Sequence, residues 1–399
     1  MQLPLLQNKM IYLDNNATTQ PTARVVEAML PYLTECYFNA SASTAAFTGA
    51  DKPRGEAAAA MARLLNAEEP DCFTFTSGAT ESNNWVFSSF ARGRKAGRVL
   101  VSAVEHASVS EPAAELARAG FEVVEVPVDA QGVVRLDALR DALREDTALV
   151  SIMAANNETG VLEPVTEIGR LIREGCPAAL FHTDATQAVG KIPVDLQGDW
   201  QDVDFLSFSA HKFHGPKGIG GLYIRPGFEL EPMILGGGQE RGLRSGTTNT
   251  PALAGLASAA SEARDLKLQA IRDLRDTFES RLQHELPEAV IHSRSVPRLS
   301  NTSCFSLPGM PGEEMAGALA AAGIIVGTGA ACSAGAIQSS KTLRSMGVAH
   351  ELAVGGLRVS LSRSSTLQDL TDLIVQLKAI CHEASSHVPA PHEMLNVRG

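Results

Sequence analysis

Four short segments of the 399-residue chain carry side chains whose chemistry converges. In Phe205-Leu-Ser-Phe-Ser-Ala-His-Lys-Phe-His-Gly-Pro-Lys-Gly-Ile-Gly220, an apolar run leads into Lys212, with Ser209 and His211 beside it. A lysine next to a buried phosphate site can lose its proton and attack a carbonyl as a neutral amine, and Ser209 and His211 can reach an anion. Read alone, Lys212 is also compatible with a solvated loop charge. In Phe181-His-Thr-Asp-Ala-Thr-Gln187, Asp184 directly follows an apolar run. A carboxylate there needs a cation or several donors, which a protonated ring nitrogen would supply, or it caps a following short helix. Val104-Glu-His-Ala-Ser-Val109 offers His106, either to stack on a planar ring and move protons near neutral pH or to cap a helix. Phe73-Thr-Phe-Thr-Ser-Gly-Ala-Thr-Glu-Ser-Asn-Asn84 reads as a strand, a tight turn and a helix start. Backbone N–H groups and the Thr80 hydroxyl can cradle a phosphate there, or Ser77 or Thr80 serves as a cap.

These residues act together only if a fold brings them together. β-Branched and aromatic runs predict strands at Phe73–Thr76, Val99–Val104, Phe121–Val126, Ala148–Ala154, Ala179–Thr183, Val203–Ser209 and Gly221–Ile224. Helical patterns separate most of them, at Thr80–Ala91, Ser108–Arg118, Leu136–Arg144 and Pro164–Arg173. Strands that read as continuous apolar runs are buried on both faces, so the expectation is a three-layer α/β domain with a mostly parallel sheet. In such sheets ligands gather at the carboxyl ends of strands, where all four segments fall. Pro251–Leu286 reads as one long helix, and the remainder mixes strands and helices into a smaller α/β domain. The expected division is 14–258 for the large domain, 259–386 with 1–13 for the small one, and 387–399 as a loosely held tail.

Composition narrows the function. The formal charge of −11 disfavours broad nucleic-acid binding. Met315–Ser340 lacks charged residues but is rich in Gly, Ala, Ser and Thr rather than large aliphatics, so no membrane span is expected. Six cysteines without a CxxC pair, and a start that makes a poor signal peptide, point to a reducing cytoplasm. The same spacing lacks any metal-ligand motif, so no resident metal is expected.

A phosphate cradle, a histidine, an aspartate and a lysine, each at a strand end, are what pyridoxal 5'-phosphate requires. The chain resembles the pyridoxal-phosphate cysteine desulfurases of the NifS/IscS-like group, in the class V aminotransferase superfamily with PLP fold type I. The resemblance runs from Tyr12-Leu-Asp-Asn-Asn-Ala-Thr-Thr19 through Asn156-Asn-Glu-Thr-Gly160 and Gly236-Gly-Gly-Gln-Glu-Arg-Gly-Leu-Arg-Ser-Gly-Thr247 to Leu357-Arg-Val-Ser-Leu-Ser-Arg363. It implies that Lys212 bonds covalently to the coenzyme, Asp184 pairs with the pyridine nitrogen, Gln187 bonds the phenolic oxygen and His106 stacks over the ring. Ala79, Thr80, Ser209 and His211 would hold the phosphate, Thr247 would complete that site from the second subunit of a homodimer, and Asn157 and Arg358 would grip the substrate carboxylate.

Cys332, in Val326-Gly-Thr-Gly-Ala-Ala-Cys-Ser-Ala-Gly-Ala336, lies where the family carries its sulfur-accepting cysteine. A run of small residues without a bulky anchor suits a sulfur carrier, and His106 is the expected base for its thiol. The implied reaction converts L-cysteine to L-alanine with a persulfide left on Cys332, for an acceptor protein in Fe–S cluster assembly or thiolation. Selenocysteine lyase and a class V aminotransferase are the alternatives. The chain departs from the family pattern at Phe38-Asn-Ala-Ser-Ala-Ser-Thr44, which lacks the usual Pro and His, and at Ile337-Gln-Ser-Ser340.

Overall fold

The computed structural model describes residues 10–94, 96–264, 267–329 and 339–386. A first short strand, β1 (Ile11–Tyr12), precedes the main sheet. That sheet holds β2 (Phe73–Thr76), β3 (Arg98–Ser102), β4 (Glu122–Val126), β5 (Thr147–Ser151), β6 (Leu180–Asp184), β7 (Phe205–Ser209) and β8 (Gly220–Ile224), in the spatial order β2-β8-β7-β6-β5-β3-β4. All seven expected strands are present, with ends moved by up to three residues. The pairs among β3 to β7 are parallel, whereas β8 runs antiparallel to both β2 and β7. Side-chain alternation splits the core into two layers. Val99, Val101 and Phe205 join one apolar cluster, while Leu100, Leu206 and Phe208 join the other.

One expectation fails. Pro251–Leu286 is not one helix but two, Thr250–Ala263 and Leu268–Glu285. The physical reason is that the halves serve different cores. Leu253, Leu256 and Ala260 pack into the large cluster, whereas Ile271, Phe278 and Leu282 join a separate one. That cluster also takes Leu13, Phe305, Met315, Leu357 and Leu373. It is built around β9 (Val290–Ile291), β10 (Thr302–Ser306), β12 (Gly327–Thr328) and β13 (Gly356–Ser360), paired antiparallel in the order β12-β13-β10-β9. Separately, β1 pairs in parallel with β11 (Ile324–Ile325), and Asp14 bridges to Ser360, so the segment before the first helix is stitched to the second cluster. Sequence reading also passed over the helices Ala23–Thr34 and Lys52–Leu65.

Candidate active site

A cavity of about 340 Å³ opens at the carboxyl ends of β6 and β7, within the size range of small-molecule sites. Ten of the expected residues line it: Ala79, Thr80, His106, Asn157, Asp184, Gln187, Ser209, His211, Lys212 and Arg358. Thr247 is exposed and outside the lining. Cys332 lies outside the described residues.

Lys212 ends a single helical turn, Ala210–Lys212, that follows β7 directly. Its Nζ donates to the carbonyls of Asn16 (2.6 Å) and Ala17 (2.8 Å). Burial is the main force on this amine, and the positive charge of Arg358 adds to it, so the pKa falls to about 8 from the usual 10.5. Asp184 is the last residue of β6 and is buried. Asn83 Nδ2 donates to its Oδ2 (2.8 Å) and the Thr186 backbone N–H to its Oδ1 (2.9 Å). Both donors are neutral, which leaves the carboxylate able to pair with a cation in the cavity.

His106 is the N-cap of helix Ala107–Arg118. Its Nδ1 accepts the Ser108 backbone N–H at 3.1 Å, so the neutral ring carries its proton on Nε2. The capping alternative is thus realised without removing the ring from the cavity. A ring in this state offers an N–H hydrogen bond from Nε2; to take up a proton and act as a base or acid it must release the bond at Nδ1. Helix Ala79–Gly93 starts with Gly78 as N-cap and no side-chain cap, so neither Ser77 nor Thr80 is consumed in capping. The Ala79 N–H donates to Ser209 Oγ at 2.8 Å. The close approach depends on Gly220 in β8, where a Cβ would stand 2.3 Å from the Phe208 carbonyl oxygen and 2.7 Å from Gly78 Cα. His211 is held well below its ordinary range, at about 4, by burial and by the charges of Lys212, Lys217 and Lys191.

Arg358, on β13, is buried. Its Nη1 donates to the Asn157 carbonyl (2.9 Å) and its Nη2 to Asp14 Oδ1 (2.5 Å), while Nε has no partner among the described residues. An orphaned guanidinium N–H beside the cavity invites an acceptor such as a carboxylate. Sequence reasoning missed Asn16, Ala17, Ser108, Met153, Ala155 and Thr186 in the lining. Asn16 is the most consequential. Its carbonyl takes both Lys212 and Gln187 Nε2, its Oδ1 takes Lys191 and Asn301, and its Nδ2 donates to Thr302 Oγ1. The only available signal was its place in the Tyr12–Thr19 motif.

A depressed lysine amine, an unpaired carboxylate and a helix start, gathered at strand ends of a three-layer sheet, define a pyridoxal-phosphate type of α/β enzyme. The chain belongs to the aminotransferase class-V family, whose pattern matches residues 11–373. It is 41% identical over 375 residues to a cysteine desulfurase of Sinorhizobium fredii, covering 93% of this chain and 96% of that protein. A solved NifS-like protein superposes with a TM-score of 0.86 at 37% identity, over 94% of this chain and 100% of the other. SspA, solved in complex with cysteine, superposes at 0.77 with 30% identity, over 88% and 98%. The residues present fit the coenzyme: among the described residues Asp184 has donors but no cation and the buried Thr186 Oγ1 lacks a partner, while Gly78 leaves the helix start without an N-cap side chain.

Proposed function

We propose that this chain is a pyridoxal-phosphate-dependent cysteine desulfurase. L-Cysteine and the Cys332 thiol give L-alanine and a Cys332 persulfide; the Cβ–S bond of the substrate breaks, a S–S bond forms, and the proton balance closes on alanine. The observation that carries this reading is the meeting of Lys212, Asp184 and Arg358 on one cavity, in a chain of this family. When bound, the coenzyme supplies an electron sink for the pair left by the substrate α-proton.

The chain's own residues do the rest. Asp184 would pair with a protonated ring nitrogen, and Ala79, Thr80, Ser209 and His211 would hold the phosphate. Lys212, close to neutrality, carries the α-proton between steps. Arg358 and Asn157 would orient the substrate carboxylate, and His106, once its Nδ1 has released Ser108 and taken up a proton, would return one from Nε2.

Homodimer formation belongs to the same proposal. It is supported by exposed apolar side chains at Leu33 (59%), Tyr37 (71%), Phe47 (92%) and Leu235 (82%), and by Thr247 standing outside this chain's own cavity. Light scattering should give twice the mass of one chain. The separate apolar cluster supports a second unit with the chain's start joined to it, but a boundary after Ala263 rather than at 258/259, since Ala259 and Ala260 still pack in the large cluster. The acceptor is a protein in Fe–S assembly or thiolation, and a reducing cytoplasm is where a thiol at 332 persists. The deciding test is alanine and persulfide formation from L-cysteine. Lys212→Ala should abolish both, while Cys332→Ala should keep the coenzyme and lose the persulfide. Undiminished persulfide transfer by the Cys332 variant would refute the reading.

A further inference from the structure

A second lysine lies behind the first. Lys191 is buried, with 7% of its surface exposed. Its Nζ has no carboxylate in contact among the described residues. It donates instead to Gln187 Oε1 (2.5 Å) and to Asn16 Oδ1 (3.0 Å). A buried ammonium without a counter-charge is costly, whereas a neutral amine has two N–H bonds and two acceptors stand here to receive them. Burial, with the charges of Lys212 and Arg358, drives this amine well below the ordinary lysine range.

Its contact with Gln187 has a directional consequence. An amide has a donor end and an acceptor end, and only its partners decide which way it points. With Oε1 held by Lys191, Gln187 turns Nε2 to the Asn16 carbonyl at 2.9 Å, the same oxygen that receives Lys212 at 2.6 Å. We propose that Lys191 is a positioning residue that fixes the sense of the Gln187 amide, so that a donor and not an oxygen stands on the Lys212 side of the cavity. A donor there favours an anionic oxygen on a bound coenzyme ring; a reversed amide would oppose it.

The inference rests on the cavity being the coenzyme pocket, and the test separates the two. The readout is the pH midpoint of the visible band of the pyridoxal-phosphate-loaded protein, not turnover. Lys191→Met should raise that midpoint by about one pH unit, the scale of one lost donor to an anion. In a Gln187→Met background, Lys191→Met should add nothing, because the amide through which it acts is gone. Should Lys191→Met fail to fold by circular dichroism, Lys191→Gln takes its place in the same cycle, with a smaller rise expected from its shorter donor. An unmoved midpoint, or an equal rise in the Gln187→Met background, overturns the role of Lys191 alone. A wild-type protein that takes up no coenzyme overturns the pocket reading and this one together.

Discussion

Replacing Arg358 by Met should make Lys212 a poorer nucleophile in the cofactor-free protein. With the amine near 8 instead of 10.5, about a tenth of it is neutral at pH 7, against roughly 0.03% for an ordinary lysine, a gain of about 300-fold. Burial supplies most of that shift, and Arg358 is the strongest charge acting in the same direction. Its removal also frees Asp14, now paired with it, and an unpaired Asp14 favours the protonated amine. A rise of about one unit follows, and the reactive fraction at pH 7 falls about tenfold. Competitive acetylation of the cofactor-free protein across pH, with the Lys212 peptide quantified by mass spectrometry, measures the midpoint directly. A wild-type midpoint near 10.5, or one that Arg358→Met leaves unmoved or lowers, would refute the electrostatic account.

Glu105 precedes His106 and is buried; burial raises its carboxyl from 4.5 to about 8 despite donors at Ser102 and Met153. The folded chain therefore holds a proton on Glu105 that the unfolded chain has released, so this one group contributes a decline in stability as pH climbs from about 4.5 to 8, as Glu163 does beside it. Glu105→Gln should flatten that decline in urea-unfolding midpoints of the cofactor-free protein, and an unchanged slope would contradict the assignment. Gly220→Ala should weaken coenzyme binding at least tenfold, an order-of-magnitude expectation for a Cβ forced against backbone. Fluorescence titration checks it, and wild-type affinity would show that the β8 approach does not shape the cradle.

Much of the sheet was legible because its strands are apolar on both faces and their ends carry the polar side chains that do the chemistry. Asp184, Ser209 and Lys212 stand out for that reason, as the last residues of buried runs or just beyond them. The direction of β8 was not legible, since its composition suits a parallel or an antiparallel neighbour equally. The break after Ala263 was also hidden: Arg264 to Lys267 contains neither Pro nor Gly, and the division reflects which core each half faces. Asn16 escaped for another reason. Its main service to Lys212 is through its backbone carbonyl, which any residue type supplies, so side-chain chemistry alone does not flag it. Lys191 carries no distinguishing signal in the sequence until the burial of its turn is known.

The segment from Ile11 to Thr19 has a practical consequence. It adds one short strand to the fold, yet it contributes both carbonyls that cradle Lys212, the counter-ion of Arg358 and the amide that Lys191 holds. A protease cut or a truncated expression clone beginning near Pro21 would keep the whole seven-stranded sheet and nearly every side chain named above. Such a product would be soluble-looking yet chemically crippled, with its reactive amine set free to behave like any other.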